Sequence, residues 1–140
     1  MLNVKKLFTK ILESIYATDQ NVQTAQTDIQ TIQTALTPVL QQNVPTAGTN
    51  ISLSSYNYVY KMGRLVVATL NFQVTGSISS GATVLSGFPA PIGRWVFPIT
   101  RSGATQSASL RLNTNGTVVA DGAISTTGYY DASFAYITAS

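Results

Sequence analysis

Apolar residues near the start of the chain recur at alternating steps of three and four: Val4, Phe8, Ile11, Ile15, Val22, Ala25, Ile29, Ile32, Leu36 and Val39. This is the a/d pattern of a heptad helix. Met1 extends the frame backward, and Thr18 is its one polar d position. Gln, Thr, Asn and Asp fill the positions between, so the apolar stripe is narrow. A lone helix cannot bury such a stripe, which predicts partner helices. Ile29 and Ile32 place Ile at both a and d, and Leu36 follows at a, a combination that favours trimers over dimers. The residues expected to carry trimerisation are Ile15, Val22, Ala25, Ile29, Ile32, Leu36 and Val39. The competing reading is an amphipathic helix packed on its own head. That helix would span roughly 55 Å, longer than the rest of the chain is expected to be wide.

Two places modify the stalk. Thr18-Asp19 supplies N-cap residues in mid-pattern, leaving open whether the rod is continuous or interrupted there. Leu2, Leu7 and Leu12 fall outside a and d, so together with Phe8 and Ile11 they make the first turns apolar on more than one side. That surface reads equally as a docking segment for a larger assembly or as a thicker bundle end. Thr37-Pro38 predicts a helix break or restart. The organisation expected is a helical stalk over residues 1–43, a linker over 44–49 and a head over 50–140.

From Asn50 onward the period becomes two. Val66, Ala68, Leu70, Phe72 and Val74 share one strand face, with Thr69, Asn71 and Gln73 opposite. Tyr56, Tyr58 and Tyr60 alternate in the strand before, with a turn at Met62-Gly63. Further strands are expected at 83–85, 94–100, 107–113, 117–120 and 129–139. On the last of these, Tyr130, Ala132, Phe134 and Tyr136 should face inward. Asn115-Gly116 is a two-residue hairpin signal. Short strands divided by Gly, Pro and Ser turns predict an all-β head, an antiparallel β-sandwich or jelly roll.

Composition narrows the function. The 140 residues include no Cys and no His, which removes thiol chemistry, disulfides, histidine acid–base catalysis and ordinary zinc sites. The carboxylates are Glu13, Asp19, Asp28, Asp121 and Asp131, too few for a typical enzyme. The expectation is a non-catalytic protein with no cofactor and no metal. Lys5, Lys6 and Lys10 balance the three stalk carboxylates. Lys61, Arg64, Arg94, Arg101 and Arg111 against two head carboxylates leave the net +3 in the head. Those cations are scattered, which argues against nucleic acid as a partner. No apolar run approaches the ~20 residues of a membrane helix. The N-terminal segment, interrupted by Lys10 and Glu13, lacks the form of a signal peptide.

A heptad stalk followed by a Ser/Thr/Gly-rich β head resembles the trimeric fibre and receptor-binding proteins of bacteriophages of Gram-positive hosts. Residues 1–12 are similar to starts of small phage structural proteins. The stretch from Tyr58 to Val67 resembles the aromatic-x-Lys-x-Gly-x-Leu-Val segment of tail-fibre heads. The stretch from Leu85 to Pro91 resembles the apolar-Gly-apolar-Pro loop that follows it. The resemblance implies a homotrimer in the virion. Its N-terminal helix would attach to baseplate, tail or capsid proteins through Leu2, Leu7, Phe8, Ile11 and Leu12, and its head would meet a host cell-wall polysaccharide. The alternative within the same plan is a capsid head fibre or decoration spike with a purely structural role. A bacterial surface adhesin would be expected to carry an export signal and a wall anchor.

Sugars offer apolar C–H faces and hydroxyls together, so a glycan site needs an aromatic platform beside hydrogen-bonding groups. Tyr129 and Asp131, on one strand face after the turn Ser125-Thr126-Thr127-Gly128, are the leading pair. Trp95 and Arg111 are the other candidates. Trp95 alternates with Phe97 and Ile99, which places it in the core instead. Arg111 lies with Ser109 and Asn113 on a polar face, where a solvated or interface arginine is the ordinary use. Tyr56, Tyr58 and Tyr60 read as sheet or intersubunit packing. A glycosidase pair would have to be Asp121 and Asp131, and Asp121-Gly122 reads as a turn.

Overall fold

Asn3 opens the N-terminal helix. Its side-chain oxygen accepts from the Lys6 N–H at 3.2 Å, satisfying one of the free donors of the first turn. The structure, a computed structural model, describes residues 3–104 and 107–140. Helix α1 spans Val4–Leu36, 33 residues, about 50 Å at the usual rise. It runs through Thr18-Asp19 without interruption, because the Thr18 hydroxyl donates to the Ser14 carbonyl at 3.0 Å instead of capping a new helix. Thr9, Thr24, Thr27, Thr31 and Thr34 make the same four-residue back-bond. The helix ends at Thr37, extended at ψ 122, as the following proline requires. None of its described residues is buried. Leu2, part of the expected docking surface, lies outside the described residues.

The chain divides into two compact units, Met1–Thr37 and Pro38–Ser140. The second unit is all β, and it begins earlier than residue 50. Strand β1 (Val39–Leu40) pairs with β4 (Tyr58–Met62). Val39 therefore continues a strand, not the heptad stripe: Pro38 ends the helical hydrogen bonding before the next d position is reached. Residues 44–49 are no free linker either, since β2 (Thr46–Ala47) pairs with β6 (Thr83–Ser86) and Pro45 is buried. The remaining strands are β3 (Ile51–Leu53), β5 (Leu65–Val74), β7 (Trp95–Arg101), β8 (Ser107–Leu112), β9 (Val118–Ala120) and β10 (Gly128–Ile137).

All ten belong to one antiparallel sheet, in the order β1-β4-β5-β10-β7-β8-β9-β6-β2, with β3 also on β5. The head is thus a single sheet curled into a half-barrel, not two separately hydrogen-bonded layers. Its long central pair explains the curl. Strands β5 and β10 stay in register from Gly128↔Val74 to Ile137↔Leu65, and a twisted pair of that length carries its neighbours around. Opposite walls then face each other as the layers of a sandwich would.

The period-two pattern sets the core. Val66, Ala68, Leu70, Phe72 and Val74 are all buried, and so are Tyr130, Ala132 and Tyr136 on the neighbouring strand. Phe134, half-buried between them, stacks on Phe97 with ring centroids 3.9 Å apart. The two buried phenols donate to carbonyls: Tyr130 Oη to Thr126 at 2.9 Å, Tyr136 Oη to Pro89 at 2.8 Å. The β8–β9 turn is one residue longer than Asn115-Gly116 alone would make it. Asn113 accepts from the Gly116 N–H at 3.0 Å, and only Gly116 has positive φ, at 79°. This is a turn closed by a left-handed glycine, not the primed two-residue turn. A Cβ at Gly116 would collide with the Phe88 carbonyl.

Candidate binding site

Residues i, i+2 and i+4 of β5 and β10 alternate outward as strictly as they alternate inward, and the outward set carries the polar chemistry of the head. Asp131 sits opposite Asn71 in the β5–β10 register. Its carboxylate accepts from Asn71 Nδ2 at 2.6 Å and from Ser102 Oγ at 2.8 Å, one donor to each oxygen. Asn71 is held in turn by Asn57: its N–H donates to Asn57 Oδ1 at 3.0 Å, and its carbonyl accepts from Asn57 Nδ2 at 2.8 Å. Three segments distant in sequence are thereby tied to one exposed carboxylate.

Tyr129 lies one outward step from Asp131 and is 52% exposed. Its backbone is fixed, since its carbonyl accepts from the Ser102 N–H at 2.8 Å. Arg101 lies on the other face, since it pairs with Tyr130 and alternates with the buried Phe97 and Ile99. A Cβ added at Gly128 would meet Arg101 Nε at 2.9 Å, so the guanidinium stem lies across the glycine that precedes Tyr129. The corner offers an open aromatic face and an oriented carboxylate. Such an arrangement can stack on the C–H face of a sugar and hydrogen-bond its hydroxyls.

The other two candidates lie elsewhere. Trp95 begins β7 and Asp131 pairs with Thr100, five residues along, which separates them by about 16 Å. Trp95 is also not a core residue. Phe97 and Ile99 are buried as their alternation predicts, but Trp95 is 40% exposed because the strand begins at the rim of the sheet. Arg111 is paired with Asp121, NH1 to Oδ1 at 2.9 Å, and that carboxylate follows an N–H that donates to Ser109. The pair is about a third exposed, and such pairs contribute at most about 1 kcal/mol. Arg111 Nε is buried without a partner. The structure therefore brings together Tyr129 and Asp131 and leaves Trp95 and Arg111 apart from them.

Sequence reasoning missed Asn71, Asn57 and Ser102 as holders of Asp131. Asn71 was legible only as a polar-face residue, and nothing local links it to a position 60 residues later. A shallow cleft of about 300 Å³ beside the Arg111–Asp121 pair, lined by Ser109, Asp121, Ile124, Ser125 and Tyr130, also had no signal in the sequence.

On the helix, Leu7, Phe8, Ile11, Leu12, Ile15, Val22, Ile29, Ile32 and Leu36 are all exposed, as is Ala25. Among the described residues no group of three or more His, Cys, Asp or Glu is placed to hold a metal ion, and no helix is long and apolar enough to cross a membrane. No known protein-family model matches the chain, and no curated protein matches it.

Proposed function

We propose that the chain is the subunit of a trimeric phage fibre whose helical stalk attaches to the virion and whose head binds a bacterial surface glycan without catalysis. The observation that carries this reading is the helix: 33 residues with a heptad stripe and not one described residue buried. Exposed Val, Ile, Leu and Phe over some 50 Å need covering, and copies of the same helix are the cover the heptad spacing fits. The head supplies the recognition surface at Tyr129 and Asp131. A single such corner binds weakly, and three per trimer with many trimers per particle turn weak contacts into firm attachment. The +3 charge of the chain suits an anionic wall polymer such as a teichoic acid.

The test is co-sedimentation of the purified full-length protein with cell walls of Gram-positive bacteria, with and without their anionic polymers. Binding is expected to fall at least about tenfold in Tyr129→Ala and in Asp131→Ala, a loss of roughly 1.4 kcal/mol in overall binding. Equal binding by both variants would remove this corner as the site. Absence of binding to any wall would favour the capsid spike, which gold-labelled antibody on intact particles would show by label over the capsid instead of the tail tip.

A further inference from the structure

The outward face of the sheet has a second, apolar region whose occupant can be argued. Leu40, Tyr60, Val67 and Ala135 form one register row across β1, β4, β5 and β10. The next row adds Met62, Leu65 and Ile137. Tyr60 and Val67 are 40% and 46% exposed. Pro38, Tyr60, Met62, Leu65 and Val67 line an open depression of about 460 Å³ with almost no polar wall. Inward neighbours on the same strands, Val59, Val66 and Ala68, are buried. The first four residues of β5, Leu65-Val66-Val67-Ala68, are therefore apolar on both faces. A strand of that kind is one covered on both sides.

Resting on the trimer reading above, we infer that this outward face turns toward the trimer axis and packs against the same region of the other two copies of the chain. Three observations select a copy over another partner. The two rows contain no charged side chain, so symmetric copies can meet there without opposing like charges. Tyr and Met are residue types enriched in interface centres. Leu36, the last heptad position of the helix, is four residues from Leu40, at most about 14 Å of chain. Helices bundled through Leu36 thus bring the β1 strands of neighbouring copies within contact range. The glycan corner stays free, because Asp131 is four residues along β10 from Ala135, about 13 Å away.

The chain has no cysteine, so a single introduced thiol reports its own surroundings. Val67→Cys and, on a different exposed segment, Ser125→Cys are made in the full-length protein and in a chain also carrying Ile29→Asp and Ile32→Asp. Circular dichroism checks that each folds, sedimentation gives its mass, and the rate of maleimide labelling is read. In the assembled protein Val67→Cys is expected to label roughly tenfold or more slowly than Ser125→Cys, and to recover when the stalk substitutions dissociate the chains. Fast labelling of Val67→Cys in an assembled trimer overturns the head interface while leaving the stalk intact. A monomeric mass before any stalk substitution overturns both readings. Slow labelling that persists in the dissociated chain overturns the proposal by assigning the cover to the chain's own residues.

Discussion

Tyr136 shows how a single residue can be legible in part. Its place in the run Tyr130, Ala132, Phe134, Tyr136 predicts an inward ring, and the ring is buried. That its hydroxyl would find Pro89, 47 residues back, had no local sign. Burial pushes the Tyr136 phenol well above the usual tyrosine range. The folded chain therefore holds this proton more tightly than the unfolded chain. The associated stability is complete below the unfolded tyrosine value of about 10 and is lost as pH rises past it. Tyr136→Phe is expected to cost about 1 kcal/mol at neutral pH through the lost hydrogen bond. It should also flatten the fall of melting temperature above about pH 10. Thermal melts of both proteins across that range check the sign. Asp131 carries the opposite lesson: its exposure followed from alternation, but its two donors depended on register and on the turn after β7.

At the scale of elements, the heptad stripe ends at Leu36, and the proline after it decides why. Val39 satisfies the spacing but not the backbone, because Pro38 has no N–H to continue the helical ladder. Ile29→Asp with Ile32→Asp is expected to reduce the assembly to monomer, each charge standing where a partner helix would bury an apolar side chain. Val39→Asp should leave the assembly mass unchanged, since that residue pairs with Lys61 on the sheet edge. Sedimentation of the two variants side by side separates the stripe from its apparent extension. Strands were more legible than turns. β5 and β10 were readable because ten residues of alternation leave little room for another period. The Asn113–Gly116 turn was not, because Asn115-Gly116 is compatible with two hairpin geometries and the Phe88 backbone packed against Gly116 favours the longer one.

The whole molecule is two units with separate sources of stability. The head holds its core within Pro38–Ser140, whereas the helix buries none of its described residues in a single chain. The one tryptophan, Trp95, belongs to the head and reports on it alone, while the helical signal in circular dichroism reports mainly on α1. In the Ile29→Asp, Ile32→Asp chain the helical signal is expected to melt at lower temperature and to lose its dependence on protein concentration. The midpoint of tryptophan fluorescence should shift down by less than that of the helical signal, because the head keeps its own core and loses only the cover of its outward apolar face. An unchanged tryptophan midpoint would mean that the head draws no stability from assembly.

By itself the sequence determined which residues form a helix with one exposed stripe, which strands alternate, and which faces are apolar. Those properties depend on neighbours within a turn or two of chain, where backbone sterics and side-chain period act directly. Only the tertiary structure decided that the strands make one curled sheet instead of two layers, that Trp95 sits at a rim, and that Asn71 and Ser102 hold Asp131. Each of these is a consequence of register between strands 14 to 60 residues apart. Register is set by how the whole set of inward side chains packs, which no local stretch contains.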